Sequence, residues 1–161
     1  MILKTAQFFS LLFTALAAGI AFCHALELPN KMALSASTWL QVQKVLYNGF
    51  GRVLGPIEYG ALVTTLVVLF MVRKRQMAFM LTLSASVLIV AGLVIWASFV
   101  GPANLRVDTA TSVPLDWMQV RDRWEYGHAT RAILFVVGLV ALLLSVLFDI
   151  PDASKTRSVK Y

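Results

Sequence analysis

Four stretches of this chain are apolar for long enough to cross a lipid bilayer, and that fact limits the fold more than any other. They run at about 2–28, 56–72, 77–100 and 128–148, against the roughly 17–25 residues that a spanning helix needs. A bilayer core offers no water to backbone N–H and C=O groups, so such runs must satisfy their own hydrogen bonds as helices. Charged residues are only 14% of the chain and the mean hydropathy is +0.78, whereas soluble domains carry about 25% charged residues. The chain therefore reads as one all-α domain over 1–161, an integral membrane four-helix bundle.

The connections follow from the breakers. Span one is expected to stop before Pro29, and an outer loop covers 29–55. Within it Trp39, Val42, Leu46, Phe50 and Val53 recur at helical spacing, with Gln41, Gln43, Lys44 and Asn48 on other faces. That pattern predicts an amphipathic interfacial helix over about 37–54, between spans one and two. Gly49, Gly51 and Gly55-Pro56 should break it, and Pro56 should open span two. Span three should end at Gly101-Pro102, ahead of an outer loop at 101–127. The last helix begins in polar sequence after Pro114, runs from Asp116 into span four, and ends at Pro151. Lys4 before an apolar run gives the N-terminus some likeness to a signal peptide, but the run is long for an h-region of about 7–15 residues.

The net charge of +6 reads as a topology signal, not as a nucleic-acid footprint. It concentrates in Arg73-Lys74-Arg75 and in the tail, at Lys155, Arg157 and Lys160. Basic clusters beside apolar spans favour the cytoplasmic side. The expectation is a plasma (inner) membrane protein with both termini cytoplasmic. Its partner is the lipid bilayer, with no nucleic acid, and its protein partners are unspecified. Cys23 is the sole cysteine, so no intrachain disulfide forms.

The chemistry lies in the glutamates and histidines. His24-x-x-Glu27 sits at the outer end of span one, and Glu125-x-x-His128 at the outer start of span four. Residues three apart share a helix face. Because the two spans run in opposite directions, the pairs mirror each other in depth, with histidines and glutamates in layers about 4.5 Å apart. Glu58, the remaining glutamate, falls at the same depth. Inward-facing Glu and Glu-x-x-His sets build carboxylate metal sites in helical bundles, so His24, Glu27, Glu58, Glu125 and His128 are candidate ligands for Fe, Mn, Zn or Cu. The same set, with no cofactor, would suit proton transfer. The bland alternative is an interface where Glu27 and Glu125 pair with Arg121, Arg131 or Lys31. Trp117, Arg121, Trp124, His128 and Arg131 form a stripe on the last helix, and Arg131 needs a carboxylate, Glu58 or Glu27.

Gly101-Pro102-Ala103-Asn104, Trp117, Arg121-Asp122-Arg123-Trp124-Glu125, His128 and Arg131 together resemble the anthrone-oxygenase-like family of small four-helix membrane proteins. That family tends to show Pro-x-Asn after its third span and Arg-Trp-x-x-x-His/Asn-x-x-Arg at its fourth. The specific motifs cover about the last third of the chain. The resemblance implies oxidation, or other chemistry, on a hydrophobic polycyclic aromatic or polyketide-like substrate without an added cofactor, and marks Asn104, Trp124, His128 and Arg131. With Arg121 as an orienting group, the expected function is a membrane-embedded oxidoreductase with a His/Glu site at the outer end of the bundle. The alternative is a non-enzymatic membrane subunit, or a metal-binding accessory protein of a larger complex.

Overall fold

The computed structural model describes residues 1–149, and these form an all-α bundle. Helix α1 covers Ile2–Met32, α2 Ala36–Leu46, α3 Phe50–Val72, α4 Gln76–Ile95, α5 Gly101–Thr109 and α6 Trp117–Phe148. A π-helical turn, Trp96–Val100, joins α4 to α5, so that Gln76–Thr109 is one continuous rod. Four helices, α1, α3, the α4–α5 rod and α6, are long and apolar enough to span a membrane. Helix α1 packs on α3 and α6, and α4 packs on α3 and α6, which closes a four-membered ring. Pro151 and the basic tail lie outside the described residues.

Three expected boundaries move, each at a proline. Helix α1 does not stop before Pro29 but passes through it to Met32. Near a helix C-terminus the proline forfeits one backbone bond, and the extra turn carries Lys31 onto the inner face. Helix α3 starts at Phe50, not at Pro56. Gly49 alone breaks the chain, with φ +83°, a conformation that costs a glycine little. Gly51, Gly55 and Pro56 all lie within α3. The third span does not end at Gly101-Pro102 either. Pro102 lacks an N–H, and the wide turn before it absorbs the mismatch, with Gly101 N–H donating to the Trp96 carbonyl five residues back. Residues expected in a loop, Asn104 among them, are therefore helical.

The surface helix forms, but shorter and differently faced. Ser35 caps α2, its hydroxyl accepting from Thr38 N–H at 3.4 Å. The buried face is Trp39, Leu40 and Gln43, while Val45, Leu46, Phe50 and Val53 are exposed. Trp39 and Leu40 join a cluster with Val100, Ala103, Val107, Val120 and Trp124, so α2 covers one end of the bundle. Val100, in the π turn, lies against α6 where Gly127 leaves room: a Cβ on Gly127 would fall 2.6 Å from Val100 Cγ2.

The opposite end carries the turn Arg73-Lys74-Arg75, and Arg75 pairs there with Asp149. This half of the core is more polar than the near-continuous apolar sequence suggests. Ser10 and Thr65 hydroxyls meet at 2.7 Å, and Thr82 and Ser145 at 2.8 Å. Interhelical hydroxyl bonds in membranes contribute about 0.6 kcal/mol each, so these pairs act as glue. A dry layer of Ala17, Ala18, Ala21, Ile89, Ala132 and Phe135 separates them from the polar end under α2.

Candidate functional site

His24 and His128 meet under α2, their ring centroids 4.4 Å apart. Trp124 packs on both, at 5.0 Å from His24 and 4.3 Å from His128. The opposed directions of α1 and α6 bring the two i, i+3 pairs to one level, and the aromatic rings fill the space between the helices. Glu58, from the buried face of α3, reaches the same layer.

The carboxylates are gathered around cations, in two groups. In the first, Lys31 Nζ lies 2.9 Å from Glu27, 3.5 Å from Glu125 and 3.4 Å from His24 Nδ1. Its ammonium also sits over the rings of Trp124 and Tyr47, 4.4 and 4.6 Å from their centroids, a favourable cation–π arrangement. Tyr47 donates its hydroxyl to Glu27 Oε2 at 2.6 Å. Glu125 Oε1 accepts from Trp39 Nε1 at 2.9 Å and from Gln43 Nε2 at 3.4 Å. Its other oxygen, Oε2, is fully buried and faces only the Lys31 ammonium, at 3.5 Å, among the described residues. In the second group, Arg131 donates to Glu58 Oε1 at 2.5 Å, to the Gly92 carbonyl at 3.1 Å and to His128 Nδ1 at 3.3 Å.

Arg131 can only donate, so His128 Nδ1 accepts and the ring proton of neutral His128 lies on Nε2. His24 is placed differently. Its Nδ1 lies between a donor, Lys31, and an acceptor, Glu27, which is 3.5 Å away. It can accept from the first or donate to the second, so its tautomer is free to change. The five nearby side-chain charges are Lys31 and Arg131 against Glu27, Glu58 and Glu125. With all of them ionised and the histidines neutral, the cluster carries one net negative charge, which an extra proton would balance. Burial and the bond to Glu27 raise the Tyr47 phenol above its ordinary value, so it remains a donor.

His24, Glu27, Glu58, Glu125 and His128, expected as metal ligands, thus share one region but divide between the Lys31 and Arg131 groups. Among the described residues, no three His, Cys, Asp or Glu side chains are arranged to hold one ion. The remaining expected site residues take supporting positions. Asn104 Oδ1 accepts from Trp124 Nε1 at 2.7 Å, which fixes the indole against both imidazoles. Arg121 caps α1 by donating to the Met32 carbonyl at 3.1 Å, stacks on Trp117 and pairs with Asp122. Sequence reasoning admitted Lys31 only as an interfacial partner and left out Trp39, Gln43 and Tyr47. The i, i+4 spacing of Glu27 and Lys31 and the four-residue step from Trp39 to Gln43 to Tyr47 carried the signal.

The imidazoles form the inner end of a cleft of about 750 Å³. His24, Trp124, His128 and Arg131 line its buried part, while Phe50 and Tyr59 of α3 and Trp96 and Leu105 of the α4–α5 rod line it where they are exposed. The volume falls within the range of sites that take small organic molecules. Comparison of the chain with protein-family models, with curated proteins and with solved structures gave no match.

Proposed function

We propose that this chain is a membrane-embedded oxidoreductase of the oxygenase kind, acting by proton transfer on a hydrophobic aromatic ketone or phenol. One observation carries the reading: two imidazoles 4.4 Å apart end a largely apolar cleft of about 750 Å³. His24, between Glu27 and Lys31, is the base. His128, held by Arg131 with its proton on Nε2, donates to the oxygen on which negative charge develops, the role that preorganised donors play at oxyanion sites. Asn104 and Trp124 form the wall that orients the ring. For an anthrone-like substrate, a ring CH2 gives its proton to His24 and becomes an enolate held by His128. Dioxygen is the oxidant; one of its atoms ends as the new carbonyl oxygen and the other leaves as water.

Proton transfer is favoured over metal binding because Lys31 and Arg131 already hold the carboxylates that a metal would need. The basic turn Arg73-Lys74-Arg75 lies at the far end of the bundle, so the positive-inside tendency puts the site at the outer face and both termini in the cytoplasm.

The test is oxygen uptake by detergent-purified protein supplied with anthrone, with metal analysis of the same sample. The reading expects turnover without bound metal, a loss of at least about 100-fold in His24→Ala, and a changed pH profile in His128→Ala. Stoichiometric metal that is lost in His128→Ala would restore the metal-centre reading. Bound metal with no turnover would favour an accessory protein.

A further inference from the structure

The imidazoles are covered by α2, and the cleft opens toward the side of the bundle. Above the imidazoles, α2 forms a lid in which Trp39, Leu40 and Gln43 are buried, and Lys31 is locked between Glu27 and Glu125. Sideways, the picture is reversed. Helices α3 and α4 join tightly at the basic-turn end through Val68, Val72 and Ala78. Toward α2 they are separated by the cleft, and apolar or aromatic side chains stand at its mouth, where Phe50, Tyr59, Trp96 and Leu105 are 37–65% exposed, with the polar Asn48, Arg52 and Asp108 exposed beside them toward α2.

Depth decides what lies outside that mouth. At 1.5 Å rise per residue, Tyr59 stands about 20 Å above the end of α3 at Val72, and Leu93 about 26 Å above the start of α4 at Gln76. A hydrocarbon core is about 30 Å thick. The lower lip of the cleft therefore faces acyl chains, while Arg52 and Asp108, exposed residues that also line the cleft, stand nearer the headgroups. A molecule dissolved in the bilayer needs to displace only lipid.

We infer that the gap between α3 and the α4–α5 rod is a lateral portal, through which the site takes a membrane-dissolved aromatic carbonyl compound, of the quinone type, directly from the lipid. This rests on the proposed site at the imidazoles. The ring would enter edge-on between Tyr59 and Trp96 and present its carbonyl oxygen to His128. Gly55 is the doorpost. It lines the cleft, and a Cβ built on it meets nothing within 4 Å, so a side chain can begin there without a clash at its root.

The experiment uses the full chain in liposomes, with 2-methyl-1,4-naphthoquinone as the lipid-soluble probe and 1,4-naphthoquinone-2-sulfonate as its water-borne counterpart. Quenching of tryptophan fluorescence reads occupancy, because Trp96 and Trp124 line the cleft. The lipid-soluble probe should quench saturably and the sulfonate should not. Gly55→Phe should slow the approach of quenching to its plateau by about tenfold or more, while Gly55→Ala should leave that rate unchanged. Equal binding of both probes, or quenching as fast in Gly55→Phe as in the unchanged chain, overturns the portal. His128→Ala separates the two ideas. A loss of binding there with Gly55→Phe unaffected keeps the site and removes the portal. A block in Gly55→Phe with His128→Ala unaffected keeps the portal and removes the site.

Discussion

Lys31 links the two helices that carry the histidines: its ammonium, anchored 2.9 Å from Glu27 on its own helix, stands 3.5 Å from Glu125 on α6. Glu125 is fully buried and Lys31 nearly so. Lys31→Met leaves Glu125 without a cation, and removing one member of a buried pair costs about 3–5 kcal/mol. Thermal unfolding in detergent should show the loss. Adding Glu125→Gln should recover much of it, because the remaining amide is neutral. A double variant as unstable as the single one would mean that the ammonium is needed for its stacking on Tyr47 and Trp124, not for its charge.

Gly127 and Gly55 offer a matched pair of glycine substitutions. Gly127→Ala forces a methyl to 2.6 Å from Val100, so α6 or the π turn must shift, at about 1–3 kcal/mol for overpacking. Gly55→Ala meets nothing and, inside α3, should raise the melting temperature slightly, because alanine is favoured over glycine in a helix by about 0.5–1 kcal/mol. A neutral Gly127→Ala would show that the close contact between α6 and the π turn is not needed for the bundle to form.

Asn104→Leu removes the acceptor of Trp124 Nε1 and leaves a buried indole N–H unpaired, at about 1–3 kcal/mol. Because Trp124 packs on both imidazoles, oxygen uptake should fall further than the loss of folded protein explains. Asn104→Asp, which keeps an accepting oxygen, should recover part of the rate. Equal rates per folded molecule in Asn104→Leu and wild type would assign Asn104 to the fold alone.

The Tyr47 phenol supplies a pH test. Its value in the folded protein is raised above the ordinary 10.0, by burial first and then by the bond to Glu27. For a raised value, the contribution to stability is complete below the unfolded value and is lost as pH rises through the folded one. Stability attributable to Tyr47 should therefore be constant up to about pH 10 and decline above it, and Tyr47→Phe should abolish that decline. Tyrosinate absorbance provides the direct check: a Tyr47 signal appearing at or below the ordinary value would contradict the Glu27 contact.

The pairing of the histidines was legible because two regular signals coincided: i, i+3 spacing on two helices and opposite helix directions. Arg131 announced its need for a carboxylate by being a cation inside a span, and Glu58 was one of two candidates. Lys31 was obscured by Pro29. Ending α1 at that proline cut the residue from the face it shares with His24 and Glu27. Gln43 was set apart from the apolar face by its polarity, whereas it lies inside because Glu125 gives its amide a partner. The cleft could not be read at all, since it arises from the space between α3 and the α4–α5 rod, and no local pattern encodes the distance between two helices.

The π turn at Trp96–Val100 has the effect of one residue inserted into a helix. Each residue of an α-helix turns the chain by about 100°, so everything beyond the turn is rotated by roughly that angle from where a regular rod would carry it. Without the turn, the face that now offers Asn104 to the Trp124 indole would show a neighbouring side chain, and the amide would point elsewhere. The aim of one hydrogen bond beside the imidazoles is thus set by a counting irregularity in the backbone before α5, a feature that substitution can perturb but that deletion of a single residue would erase.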